Sequence, residues 1–273
     1  MIRIETPEGW WLMGHRDHAR LAAAFGHHWS TKDFPAPEPR KEVLTAITHH
    51  DDAWVERDSE PELTPEGRPS AFTKELVGTY DAFEEIDFYA YLKVRGQATE
   101  AQADANPYAA MLISMHTESL LTNGADLSTL TEEERVAHGE FIAGQQKRQK
   151  ELLAEAIKRD PSLEPYSTPE TLRRAFEFLQ ACDSFSLITC VAFPTSIPLQ
   201  HLHPDESGAR HEIKVIPLGD NCYRLEPYPL DEEKISLTVP ARFVPGNTFE
   251  NVEAFRSAFS VAQEEKITIT LTK

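Results

Sequence analysis

Cysteine is scarce in this chain of 273 residues: Cys182, Cys190 and Cys222 are the full set, and no CxxC pair occurs. An odd, scattered set excludes a disulfide framework and a structural zinc ribbon, and points to a reducing, cytoplasmic location. No GxGxxG or GxxxxGKS/T string is present, so a dinucleotide fingerprint and a phosphate-binding P-loop are excluded. Ser114 and Ser119 lie in no GxSxG elbow, which removes a serine hydrolase of that type. No run of about 18 uncharged apolar residues exists, so no transmembrane helix is expected. The opening MIRIETPEGWWLMGHRDH has neither a continuous apolar stretch nor a small-residue cleavage site, and does not read as a signal peptide. Positive charge is also in deficit. With 27 Lys+Arg against 45 Asp+Glu the net charge is −18, which would repel nucleic acid and an anionic membrane. A small-molecule partner is expected instead, because net charge does not describe a local pocket.

What is present suits a packed protein: 40% hydrophobic and 26% charged residues, with 19 prolines against 12 glycines, proportions of a globular chain with defined loops. Ile2 and Ile4 alternate with polar residues before the turn Pro7-Glu8-Gly9 and the apolar Trp10–Met13, which predicts a hairpin. Asp17 is the expected cap of a helix whose apolar face is His18, Leu21, Ala22, Phe25 and Trp29. Pro39 opens a second helix with Val43, Ile47, His50 or Asp51, and Trp54 inward. Residues 56–72 read as a long loop or flap, 73–95 as an aromatic-rich helix, and 96–106 as a polar break. Further helices are expected from Pro107 to about Leu121, over 131–159 behind the capping box Thr131/Glu134, and from Thr168-Pro169 to about Leu187. Then the period changes to two. Ile213/Val215, Ile235/Leu237/Val239 and Ile267/Ile269/Leu271 mark strands, Gly219-Asp220-Asn221 a turn, and 252–264 a short helix. The expectation is α+β: one domain over 1–273, with a helical body at 14–190 and a β-rich part at 191–273. A small mixed or antiparallel sheet built from the N- and C-terminal strands would pack on the helices.

Four helical segments place polar residues on apolar faces. His18 shares its face with Leu21 and Phe25. His50 is three residues after Ile47 and four before Trp54, and Asp51 is four after Ile47. His116 lies between Leu112 and Leu120 at that same four-residue spacing, and Asp183 between Leu179 and Leu187. Taken singly, a core histidine finds a hydrogen bond, and an inward aspartate caps a helix or pairs with an arginine. Together, two carboxylates and three histidines would satisfy one another around a divalent cation. Imidazole and carboxylate donors suit manganese, iron, zinc, cobalt or nickel, with magnesium a further candidate.

The order His18, His50-Asp51, Asp183 resembles the HD superfamily of metal-dependent phosphohydrolases, in which the corresponding residues bind the metal from a helical bundle. The strings GWWLMGHRDHARLA, EVLTAITHHDDAW, NPYAAMLISMHTESLL and TPEGRPSAF look like a bacterial family catalogued as a domain of unknown function. The likeness covers residues 1 to about 190 well and the later strands weakly. It implies an HD-like bundle with His18, His50, Asp51 and Asp183 as metal ligands, Asp51 bridging if there are two ions. It also implies hydrolysis of a phosphate ester. His116 falls where many members carry an additional histidine, as a ligand or a group orienting the leaving oxygen. His49 and Asp52 flank the ligands as candidate general acid/base residues. Arg57 and Arg68, on the 56–72 loop, would meet an anionic substrate. The sequence departs from many members in one respect: Asp52-Ala53-Trp54 follows the pair where a Gly-Lys element is common. Related HD folds host di-iron oxygenases, and His49 and His116 leave that alternative open, as well as a non-catalytic metal- or small-molecule-binding module. Outside this set, His27-His28 reads as a favourable helix C-terminus. The string His201-Leu202-His203-Pro204-Asp205, with Glu206 and His211, reads as a solvated loop in preference to a second metal site.

Overall fold

A computed structural model describes residues 1–77 and 87–273. The fold is mixed α+β and about half helical. The N-terminal hairpin is β1 (Ile2–Thr6) and β2 (Gly9–Met13), paired from Ile2↔Met13 to Thr6↔Gly9. Further on come β3 (Ile197–Pro198), β6 (Lys214–Gly219), β7 (Cys222–Glu226), β8 (Lys234–Pro245) and β9 (Glu264–Thr272), between which β4 (His203–Pro204) and β5 (Arg210–His211) form a separate two-residue ribbon. The main sheet has seven strands in the order β1-β2-β8-β9-β7-β6-β3. It is mixed, with β7 and β9 parallel and the other pairs antiparallel. The period-2 segments therefore build a larger sheet than the small one expected, and the two chain ends do meet in it: Trp10 faces Val244 and Leu12 faces Arg242. Gly9 makes this approach possible. Its φ is +153°, and a Cβ there would lie 2.2 Å from the Val244 carbonyl oxygen.

Among the helices, α1 (His15–His28), α2 (Arg40–His49), the single-turn α3 (Val55–Ser59), α4 (Phe88–Ala103), α5 (Pro107–Ser119), α6 (Glu132–Arg159), α7 (Pro169–Cys190) and α8 (Val252–Val261) follow in order. The capping box at Thr131/Glu134 forms as expected, and Thr168 caps α7. Asp17, the expected cap of α1, instead lies in its first turn. The helix begins two residues earlier, at His15, whose backbone N–H is taken by the Asp58 carboxylate at 2.6 Å. A cap supplied from 43 residues away leaves no local signal.

Two further expectations change. The helix read over 73–95 is a short 3-10 turn at Lys74–Leu76 followed, after residues 78–86, which lie outside the described residues, by α4 from its Asp87 cap. The polar stretch after residue 95 does not break α4, which continues to Ala103. Gln97, Ala98, Glu100 and Ala101 are good helix formers, and Gly96 sits where a Cβ would lie 3.5 Å from the Phe141 ring. The 56–72 segment, read as a loop or flap, is fastened at several points. Phe72 pairs with β1, Gly67 accepts from the Phe249 N–H at 2.8 Å, and Pro61 accepts from Arg256 at 3.0 Å.

One contiguous core joins the layers. Leu21, Phe25, Ile47, Leu112, Leu179 and Phe185 from the helices cluster with Ile2, Val215, Leu237, Ile269 and Leu271 from the sheet. Within it α1 packs against α2, α7 and β8, and α5 against α2 and α7. The polar residues on these helix faces therefore point at one another.

Candidate metal centre

His18 comes from α1, His50 and Asp51 from the end of α2, His116 from α5 and Asp183 from α7; all five are buried. Neighbours on an unbroken helix point about 100° apart, so His50 and Asp51 could not both face one point from a continuous α2. The expected run through Trp54 does break. His50 ends α2, Asp51 leaves the helical region at φ −120°, ψ 16°, and a 3-10 turn follows over Asp52–Trp54. That break turns both side chains inward.

The donors converge. His18 Nε2 lies 2.9 Å and His50 Nε2 3.8 Å from Asp51 Oδ2. Asp183 Oδ1 is 3.3 Å from His50 Nε2 and 3.8 Å from His18 Nδ1, while its Oδ2 is 3.9 Å from His116 Nε2. Two overlapping triads, His18/His50/Asp51 and His50/His116/Asp183, each bring their ligand atoms within 4.8 Å of one another and could hold a metal ion. Donors about 2.0–2.2 Å from a shared tetrahedral ion are about 3.3–3.6 Å apart, close to the observed spacings.

His50 carries the strongest local sign. Its Nδ1–H donates to the Ile47 carbonyl at 2.7 Å, which turns Nε2 into the centre as the nitrogen an ion could take. That nitrogen is buried and, despite lying 3.3 Å from Asp183 Oδ1, is not aligned for a hydrogen bond; His116 Nδ1 is likewise buried without one among the described residues. Ser186 is a residue that the sequence patterns missed. Its hydroxyl donates to the His18 carbonyl at 2.7 Å, so its oxygen can accept from His18 Nδ1–H at 3.2 Å and direct Nε2 toward Asp51.

Arg95 is the second omission. It lies on α4, is buried, and donates Nη1 to Asp51 Oδ1 at 2.6 Å. Its guanidinium is 5.4 Å from the Trp54 ring centroid and 5.2 Å from that of Tyr91. The pairing of an inward aspartate with an arginine is thus realised at Asp51. The helical pattern could have flagged Arg95, which follows the buried Tyr91 by one turn.

The ionisation states follow from this charge set. Burial alone would raise the Asp51 carboxyl, but Arg95, His50 and His18 hold it well below the usual carboxylate range. Burial likewise opposes ionisation of Asp183, and the close approach of His50, with His116 and His18, brings it to about 2. For His50, burial lowers the pKa but the charge of Asp51 and the contacts with Asp183 outweigh it, raising the value to about 9. His116 is pushed down to about 3 by burial, which the Asp183 charge does not offset.

His49 and Asp52 join each other and not the five. His49 Nδ1 lies 2.6 Å from Asp52 Oδ2, and Arg16 Nε lies 3.4 Å from Asp52 Oδ1, at a half-exposed position on the α1 side. The 201–211 segment is mostly exposed, as expected of a solvated loop, but it is held in place. His203 is buried against Trp29, with its Nε2 2.9 Å from the Gln200 carbonyl. Arg210 reaches Glu177 at 2.5 Å, and His201, in the left-handed region at φ 65°, meets Gln180 at 2.6 Å, so the segment is fastened to α7. Among the described residues it contributes no candidate metal group. His28, at the end of α1, pairs with Asp231 at 3.0 Å in an exposed group that includes Glu232.

Fold and site together define an α+β protein with a buried histidine–aspartate centre able to hold a metal ion. None of its described helices is long and apolar enough to cross a membrane. Residues 1–246 match the model of a family described as "Protein of unknown function (DUF3891)", and the chain belongs to that family. The match runs past α7 and takes in β8 to its last strand residue, so the strands through β8 lie within the matched region, with α8 and β9 beyond it. No curated protein and no solved structure matches the chain.

Proposed function

We propose that this chain is an HD-like metal-dependent hydrolase acting on a phosphate ester, with His18, His50, Asp51 and Asp183 holding a divalent cation and His116 completing the set. The observation that carries the reading is the orphaned Nε2 of His50, buried between two carboxylates with its tautomer fixed by the Ile47 carbonyl. A histidine placed so in a purely structural core leaves a polar atom unsatisfied at a cost of about 1–3 kcal/mol; a cation removes that cost.

When bound, the ion would polarise a phosphoryl oxygen and lower the pKa of water. The chain's own residues set the rest. Ser186 and Ile47 orient the imidazoles of His18 and His50. Arg95 fixes the Asp51 carboxylate and supplies a buried positive charge close to the centre, where the sequence after the His-Asp pair offers Asp52-Ala53-Trp54 and no basic residue. His116, kept neutral by burial, presents an imidazole to the same centre.

The test is elemental analysis of the purified chain, followed by hydrolysis of a panel of phosphate monoesters and nucleotides with added manganese. A bound divalent metal and metal-dependent phosphate release, both lost in His50→Gln, are expected. Copurified iron with turnover that needs oxygen would replace hydrolysis by an oxygenase. Metal without turnover of either kind would favour a binding module.

A further inference from the structure

The geometry points to a centre that takes one divalent ion and not two, with Arg95 as the residue that sets this limit; the inference rests on the metal reading above. Two-ion centres hold their cations about 3.5–4 Å apart and need a carboxylate that gives one oxygen to each. Asp51 has one oxygen on the histidine side, 2.9 Å from His18 and 3.8 Å from His50. Its other oxygen is occupied by the Arg95 guanidinium at 2.6 Å. A cation bound there would have to displace a charge-assisted hydrogen bond and then sit against a fixed positive charge.

Arg95 cannot readily withdraw. It is 5% exposed, and its guanidinium lies over the rings of Trp54, from the turn just after Asp51, and of Tyr91, one turn earlier on α4. Leaving this place would strip the guanidinium of Asp51 and both rings inside a dry core, where an unpaired charge is costly.

The charge count agrees. Among the described residues, with the histidines neutral as ligands, Asp51 and Asp183 carry two negative charges and Arg95 returns one positive, so the ligand set is short of a single positive charge. One divalent cation over-balances this by one unit, which an anionic substrate group offsets. A second would leave three positive charges to be compensated among neutral imidazoles in a buried site. Asp183 turns Oδ1 to His18 and His50 and Oδ2 to His116, but the two triads share His50, whose Nδ1 is committed to the Ile47 carbonyl, so its one remaining nitrogen serves a single ion and the triads are not filled together.

The experiment uses the full chain, stripped with chelator and reloaded with excess manganese(II). Bound metal per chain is counted after desalting, and the EPR spectrum is recorded. The expected result is one ion per chain with the six-line signal of an isolated ion. Arg95→Met, which keeps much of the volume but not the charge, should rise to two ions with an exchange-coupled signal. Arg95→Lys, which keeps the charge, should stay at one. Two ions in the unaltered chain would overturn the inference and leave the metal reading standing; no bound ion would overturn both. One ion in Arg95→Met, folded by circular dichroism, would show that Arg95 does not set the number. If that variant does not fold, the unaltered chain and Arg95→Lys still decide, since two ions in either refutes the limit.

Discussion

Asp58 holds His15 at two points: its Oδ2 accepts the His15 backbone N–H at 2.6 Å and its Oδ1 lies 3.0 Å from the ring Nδ1. The first contact caps α1, and the second fixes a buried imidazole that stacks on Trp54 at 4.4 Å between ring centroids. Because His18 lies one turn further along α1, the same carboxylate anchors the helix that carries a candidate ligand. Asp58→Ala is expected to lower stability by about 2–4 kcal/mol, from the lost cap and the stranded buried partners. Urea unfolding followed by circular dichroism reads it, and a loss under about 0.5 kcal/mol, the range of ordinary surface changes, would refute the capping role.

The two aspartates of the centre should respond differently to the same change. Asp51→Asn removes the carboxylate that Arg95 Nη1 donates to at 2.6 Å, and should cost about 3–5 kcal/mol in the metal-free chain. Asp183 faces histidines that also have Asp51 beside them, so Asp183→Asn should cost less than Asp51→Asn in the metal-free chain while abolishing metal binding. Thermal melts of both variants with chelator, paired with metal titration, separate the outcomes. Equal destabilisation by both would mean that the Arg95 pairing is not what makes Asp51 special.

Acid should weaken the fold before the carboxylates titrate. Burial is the leading cause that brings His15 and His203 to about 4 and His116 to about 3, against an ordinary value of 6.5. A histidine with a lowered folded pKa takes up its proton more readily when unfolded. Its contribution to stability is therefore present above about 6.5 and drains away as pH falls toward 4. His203 lies apart from the metal centre and isolates the effect. His203→Gln should flatten the fall of stability between pH 6.5 and 4, measured by urea unfolding at a series of pH values with chelator present. A slope identical to that of the unaltered chain would remove His203 from the explanation.

We propose that the helical body and the strands form one folding unit, so truncation at about residue 195 should not yield a soluble, cooperatively melting fragment. Removing β8 strips β2 of one of its two partners, and the shared core loses Val215, Leu237, Ile269 and Leu271. Gel filtration and a calorimetric scan give the answer. A cooperative transition with an intact metal site would show two units.

The sequence revealed the centre better than it revealed the elements that carry it. His18, His50, Asp51, His116 and Asp183 stood out because each interrupts an apolar face at helical spacing, a signal that survives errors of a residue or two in helix boundaries. The hairpin, the Thr131 capping box and the long period-2 strands were legible for the same reason, since each is a local pattern. Arg95, Ser186 and Asp58 were not. Their roles arise from contacts 44, 168 and 43 residues away, to Asp51, His18 and His15. The break of α2 at His50–Asp51 was hidden too: Ile47, Asp51 and Trp54 keep helical spacing across it, and no glycine or proline marks the place. Residues 96–103 misled because a glycine and polar side chains look like a linker, although α6 covers them through Phe141.

The pairing of Trp10 with Val244 ties the order of synthesis to the order of assembly. At about 5–20 residues per second, roughly 10–50 s pass between the emergence of these two partners. Every candidate ligand has left the ribosome by Asp183, yet the outer edge of β2 stays open until β8 arrives. During that interval the nascent chain presents an unpaired strand edge carrying Trp10, Trp11 and Leu12, the kind of surface that recruits chaperones and invites pairing with a second nascent chain.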